Sequence, residues 1–174
     1  PADYASACAA LRLAAETPGP VYVRMGRASV PAVYAPDVEL ELGKAYVIDE
    51  GTDVSIIACG LEVTEARKAA EKLAEEGISA EVIDAFSVKP LDAETILASL
   101  AKTGCAVVAE EHSVYGGLCS AVSELCAESQ PTPLEFVAVR DRFGKSGEFE
   151  ELMAYFGLDA ASIVQAAKKV LMRK

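Results

Sequence analysis

An open α/β sheet, three layers thick and mostly parallel, is the fold this chain predicts, and three features predict it. Short apolar runs at 54–59 and 105–109 lack polar alternation, as strands covered on both faces do. Amphipathic stretches of helical period separate those runs, giving the βαβ alternation of a parallel sheet. Residues 105–126, CAVVAEEHSVYGGLCSAVSELC, write one complete βα turn: an apolar strand, two acids, His112, then a Gly116-Gly117 pair that opens a small-residue helix. In open α/β sheets such turns sit at the carboxyl ends of the strands, where ligands and partner chains dock.

The elements follow in order. Tyr4, Ala7, Cys8, Leu11 and Ala15 recur at helical spacing until Thr17-Pro18-Gly19-Pro20 stops them, so 3–16 is a predicted helix. Val21-Tyr22-Val23 reads as a strand and 24–36, with prolines at 31 and 36, as a loop. Residues 1–36 are therefore expected to be the tail of a preceding domain plus its linker, and 37–174 the main domain. There, 45–48 and 54–59 are predicted strands around the turn Asp49-Glu50-Gly51-Thr52-Asp53. A helix over 61–76 places Val63, Ala66, Ala70 and Leu73 inward and Arg67 four residues before Glu71 outside. A strand over 80–86 leads to a helix over 93–101, with Asp92 as N-cap and Leu91 and Ile96 as hydrophobic staple. After the 105–109 strand and the Gly-Gly helix to about Ala127 come a strand over 134–139 and two helices. The first is expected over 147–156 with Ser146 as cap, the second over 160–172 with Asp159 as cap. The short connection after Ile48 allows a hairpin, which would make the sheet mixed. The overall expectation is a Rossmann-like domain.

Composition narrows the function classes. A chain of 174 residues holds one full core and no second large domain. No apolar run approaches the roughly 20 residues of a membrane span. Residue 1 is Pro, read as an internal boundary or cleavage point, so a longer polypeptide is expected. Sixteen basic against 27 acidic residues give a net charge of −11, which disfavours a nucleic-acid partner. The five cysteines, at 8, 59, 105, 119 and 126, form no CxxC pair and the chain has one histidine, so no zinc site is expected. They read as small buried hydrophobes in a reducing, cytoplasmic setting.

Several residues carry candidate chemistry. His112 is the sole histidine, and a proton-transfer role would need a reacting partner. Glu110 and Glu111 resemble an acid/base pair, but strand alternation sends neighbours to opposite faces. The Gly116-Gly117 turn could cradle a phosphate at a helix start. It lacks the spacing of a dinucleotide fingerprint or a Walker loop, and a tight packing turn explains it better.

The segments V-R-M-G-R-A-S-V-P, V-S-I-I-A-C-G-L-E-V-T-E-A, S-V-K-P-L-D, A-E-E-H with G-G-L-C-S-A-V, and R-D-R-F-G-K-S-G-E-F-E-E-L occur in an order that resembles the C-terminal domain of the transketolase family. That family of thiamine-diphosphate enzymes includes 1-deoxyxylulose-5-phosphate synthase and the beta subunits of 2-oxo acid dehydrogenases. The resemblance spans residues 21–173. The turn F-G-K-S-G-E and the closing G-L-D-A-A-S-I-V point toward transketolase, in a form with separate N- and C-terminal subunits, with the synthase as the alternative. A non-catalytic assembly or regulatory module is the reading from another class.

The resemblance implies the rest. Thiamine diphosphate and Mg2+ would be held by an N-terminal pyrophosphate-binding domain and a pyrimidine-binding middle domain, of which residues 1–36 would be the tail. The chain has no G-D-G followed by a metal-binding Asn, so alone it is expected to hold neither cofactor nor metal, to contribute no catalytic residue and to be inactive. Its partners would be the remaining domains or subunit, in a homodimer or an assembly of two kinds of subunit acting on sugar phosphates. Arg27 matches the arginine that grips the sugar phosphate, and Arg24, three residues earlier, matches an arginine of the synthase-like pattern and is a second candidate phosphate ligand. His112 and Glu111 would lie at the domain interface or on the substrate side.

Overall fold

The computed structural model describes residues 1–174. Five strands, β1 (Tyr46–Asp49), β2 (Val54–Ala58), β3 (Ala80–Asp84), β4 (Ala106–Ser113) and β5 (Leu134–Val139), form one sheet in the order β1-β3-β2-β4-β5. The helices are α1 (Tyr4–Glu16), α2 (Glu62–Glu75), α3 (Ala93–Thr103), α4 (Leu118–Glu128), α5 (Phe149–Phe156) and α6 (Ala160–Leu171). Strands β2 to β5 are parallel, and β1 lies antiparallel on the edge. The three-layer α/β expectation holds.

Alternation along the central strands sorts two cores. Val54 and Ile56 with Val82 and Val107 face α2 and α6, where Leu73, Ile163 and Val170 close the layer. Ile57, Ile83 and Val108 face α3 and α4, against Ile96, Leu100, Leu118 and Val122. Cys105, Cys119 and Cys126 are buried thiols within these layers, and Cys59 at the end of β2 is half-buried. Under α3 the layer is polar: Ser55 Oγ lies 2.6 Å from both Ser99 Oγ and Thr103 Oγ1. Ser99 and Lys102 donate in turn to the buried Glu81. No helix is long and apolar enough to cross a membrane.

The sheet is mixed, but not through a hairpin. β1 pairs with β3, Tyr46 opposite Asp84. The connection to β2 crosses the amino end of β3, where the Thr52 and Asp53 N–H groups donate to the Ser79 carbonyl. The crossing is so close that a Cβ at Gly51 would stand 2.2 Å from the Ala80 carbonyl carbon. Burial explains the choice. β2 is covered along its whole length and needs neighbours on both sides, whereas β1 is partly exposed and suits an edge.

Other boundaries differ from expectation for equally local reasons. Residues 21–23 form no strand: they line a cleft at the carboxyl ends of the sheet, where no strand runs beside them. β4 continues through Ser113 because its far end pairs again with β5, Ser113 opposite Val139. Helix α5 starts at Phe149 after an uncapped Glu148, and Ser146 caps nothing. Arg67 pairs with Asp49 at 3.0 Å rather than with Glu71. The caps at Asp92 and Asp159 form as predicted.

The N-terminal segment is tied to the sheet. Asp3 caps α1 by accepting from Ser6 N, and it also accepts from Val33 N and Tyr34 N at 2.7 and 2.8 Å. Tyr34 then donates its hydroxyl to Asp84 Oδ2 at 2.7 Å, while Ala2 joins the α2/α6 core.

The two last helices differ in capping, and their stabilities should differ with it. Asp159→Ala removes the acceptor for Ser162 N and Ser162 Oγ and is expected to cost about 1 kcal/mol in urea unfolding. Glu148→Ala, which removes no capping bond, should change stability by less than about 0.5 kcal/mol.

Candidate functional site at the carboxyl ends of the strands

The β4–α4 turn is organised by one carboxylate. Glu110, 2% exposed, accepts from Leu118 N and Cys119 N at 2.8 Å each. The two N–H groups belong to the first turn of α4, which has no side-chain N-cap of its own, so Glu110 supplies the missing acceptors and suits the positive end of the helix dipole. The carboxylate occupies the space a side chain at 117 would need: a Cβ on Gly117 would lie 2.1 Å from Glu110 Oε2. The Gly-Gly turn is thus a packing turn, with its anion-binding groups already engaged from within the chain.

Strand alternation puts His112 on the Glu110 side and Glu111 on the other. His112 Nδ1 is 2.8 Å from the Ser113 carbonyl, which can only accept, so Nδ1 carries the proton and the ring is fixed by that bond. The same nitrogen is 3.8 Å from Glu110 Oε2. Between Ala109 and Ser113 the β4–β5 register shifts, and in this irregular stretch the Glu111 carbonyl accepts from Arg24 Nη2. Bulges of this kind re-aim groups beside functional sites.

These groups line a cleft of about 550 Å3. One wall is the end of α1 and residues 20–24 and 26; the other is built from the ends of β2, β3 and β4, with Leu61, Phe86, Glu110, Glu111 and His112. The chain leaves β2 toward β3 and leaves β4 toward β5, in opposite directions from adjacent strands. That is the topological switch point at which open α/β sheets place their ligands. Arg24 belongs to the wall; Arg27 does not, and is exposed with no hydrogen bond or ion pair. Cys59 also lines the cleft, but burial first, then the charges of Glu110 and Asp84, push its thiol up to about 12. It is a poor nucleophile there.

Sequence reasoning missed two carboxyls. In sequence Glu110 resembles half of an acid/base pair; its signal as a cap is an acid seven residues ahead of a helix start that lacks Ser, Thr or Asp. Glu62 gave no signal at all. It occupies the first turn of α2, is fully buried, and neither carboxyl oxygen has a partner. Burial, with the charges of Glu65, Glu111 and Asp159, raises it to about 9.

The sheet order and the switch-point cleft define a doubly wound α/β domain, and comparison identifies the lineage. The chain belongs to the transketolase C-terminal domain family, whose model, "Transketolase, C-terminal domain", matches residues 43–163. It is 46% identical over 174 residues to the 6-deoxy-6-sulfo-D-fructose transketolase subunit SqwH of Clostridium sp. (strain MSTE9), covering 100% of this chain and 54% of that protein. A putative transketolase C-terminal section of Methanocaldococcus jannaschii is 41% identical, with 98% and 53% covered. 1-Deoxy-D-xylulose-5-phosphate synthase 1 of Geobacter sulfurreducens is 44% identical over 138 residues, which are 78% of this chain and 22% of the synthase. A solved split-gene transketolase, described as an inactive β4 tetramer, superposes with a TM-score of 0.96 at 46% identity, covering 99% of this chain and 56% of that one. The chain therefore spans about half the length of the first two of these relatives.

Two outcomes follow from the carboxyls. Gly117→Ala should lower stability by about 2 kcal/mol or more, because backbone and buried carboxylate must both move; urea unfolding reads it. Glu62 favours folding most fully below about 4.5, its ordinary value, where both states hold the proton. As pH climbs toward about 9 the unfolded chain releases that proton first and stability falls. Glu62→Gln should remove this slope, so its advantage over the parent should grow from near zero at about pH 4 to roughly 3 kcal/mol at about pH 7, measured by urea unfolding across pH.

Proposed function

We propose that this chain is the C-terminal half of a transketolase, an enzyme that moves a two-carbon ketol unit from a ketose phosphate to an aldose phosphate. Its share of the work is to brace the assembly and to present an anchor for the substrate phosphate. The observation that carries this reading is Arg27: an exposed arginine with no partner inside the chain, on a loop docked at the switch-point cleft. The match of 100% and 98% of this chain to about half of a transketolase subunit and of a putative transketolase C-terminal section supports the same reading. A planar guanidinium suits a phosphate dianion, giving charge-assisted and often bidentate bonds.

Thiamine diphosphate would supply the carbanion chemistry, with Mg2+ on its diphosphate. The residues of this chain do not fit that group. The helix start that could receive a diphosphate, at α4, is filled by Glu110, and no group of three or more His, Cys, Asp or Glu could hold a metal ion. Cofactor and metal belong, in this reading, to a partner subunit or further domains, with residues 1–36 as the tail of the pyrimidine-binding domain. His112, set at the cleft and bonded to its own strand, serves the domain interface, as does Glu111. A homodimer of the complete enzyme or an assembly of two kinds of subunit is the expected form, and five unpaired thiols suit a reducing cytoplasm.

The synthase reading remains as the second, favoured by the match to the Geobacter enzyme; there Arg27 would hold glyceraldehyde 3-phosphate. Reconstitution separates the two. The chain mixed with its N-terminal half, thiamine diphosphate and Mg2+ should turn over xylulose 5-phosphate with ribose 5-phosphate, while the chain alone should not. Turnover of pyruvate with glyceraldehyde 3-phosphate instead would select the synthase, and no turnover of either pair would leave an assembly module. In the reconstituted enzyme Arg27→Ala should raise KM for phosphorylated sugars by about tenfold or more and leave KM for unphosphorylated sugars unchanged.

A further inference from the structure

Arg24 and Arg27 share one loop, yet the fold uses them differently. The Arg24 side chain crosses to β4 and donates from Nη2 to the Glu111 carbonyl, in the stretch where the β4–β5 register slips between Ala109 and Ser113. The backbone between the two arginines is backed by β4 and the entry to α2: a Cβ at Gly26 would stand 3.8 Å from both Glu111 Oε2 and Leu61 Cδ2, at ordinary contact. Arg27 lies just beyond this docked stretch, exposed and bonded to nothing.

We propose that Arg24 is a positioning residue: it clamps the arginine loop onto the bulged end of β4 and so aims Arg27 at the substrate phosphate, without touching the phosphate itself. This rests on the phosphate-anchor reading of Arg27 given above. The chemistry favours the division. A mobile loop loses backbone freedom when an arginine on it closes on an anion, and that loss weakens binding. A loop already fixed to a strand end loses less. One guanidinium committed to a protein carbonyl is a hinge pin; the other, with its donors open, is the grip. The C-terminal domain would thereby shape phosphate recognition through a main-chain carbonyl rather than through a side chain of its own.

The test is a double-mutant cycle in the reconstituted enzyme, with xylulose 5-phosphate and xylulose as paired donors, each variant first matched to the parent in assembly by sedimentation. Arg27→Ala should raise KM for xylulose 5-phosphate by about tenfold or more and leave KM for xylulose unchanged. Arg24→Met should raise the same KM by nearly as much, again without moving that for xylulose. Added to Arg27→Ala, Arg24→Met should have no further effect, because a clamp has nothing left to aim. An additional rise in that background would make Arg24 a second phosphate ligand and overturn the inference. So would an unchanged KM in Arg24→Met alone, or an equal rise for both donors. In each of those cases the anchor role of Arg27 survives on the Arg27→Ala result. A normal KM in Arg27→Ala would remove the anchor reading and the clamp with it.

Discussion

The carboxylate of Glu110 is the constraint on which the carboxyl end of the sheet depends. It leaves a parallel strand, turns into the first turn of α4, and takes two backbone N–H groups that would otherwise be orphaned in a buried place. Because it fills that space, the residue after Gly116 can carry no side chain. Its alternation also sets its neighbours: His112 falls on the same side, its Nδ1 3.8 Å from a Glu110 oxygen, and Glu111 is turned away with its carbonyl free to receive Arg24. Cap, turn and loop anchor are therefore one arrangement rather than three.

A second set of bonds makes the N-terminal segment part of the same body. Asp3 spends its carboxylate on two stretches of chain about thirty residues apart, the start of α1 and the backbone at Val33 and Tyr34. Tyr34 passes the connection on to Asp84 at the end of β3, and Arg24 makes a further tie at β4. The N-terminal segment is thus tied to the strand ends by polar contacts at two places, Tyr34 to Asp84 and Arg24 to the Glu111 carbonyl, while Ala2, Val30, Val33 and Tyr34 pack against the α2/α6 core. The polar part of that seam is specific in geometry and modest in strength.

Most of the fold was legible because the strongest signals were local and repeated. Continuous apolar runs marked β2 and β4, helical periodicity marked α2 and α6, and Asp92 and Asp159 announced their caps. What failed depended on distant chain. Nothing near residues 21–23 says that no strand will lie beside them, and nothing near Tyr46 says that β1 will choose β3 over its sequence neighbour. At the site, the turn of residues 105–126 was readable as a βα connection, and its location at the cleft followed from topology. The duty of Glu110 was not, since an acid before a glycine pair has many uses until the helix start it faces is known. Glu62 was the least legible: in sequence it is an ordinary first-turn acid, and only the folded chain buries it completely with neither carboxyl oxygen bonded.

The hydroxyls beneath α3 have a consequence for how the sheet assembles. Ser55 and Glu81 stand opposite each other on adjacent strands, and both turn toward Ser99, Thr103 and Lys102. The apolar residues of β2 and β3 alone discriminate poorly among alignments, since one apolar residue replaces another with little penalty. A slip of one position would carry Ser55 into the α2/α6 layer, where no polar group awaits it, and strand Ser99 and Thr103 facing isoleucine. A few polar atoms in an oily layer thus act as a notch and key, rejecting misaligned sheets that hydrophobic burial alone would tolerate.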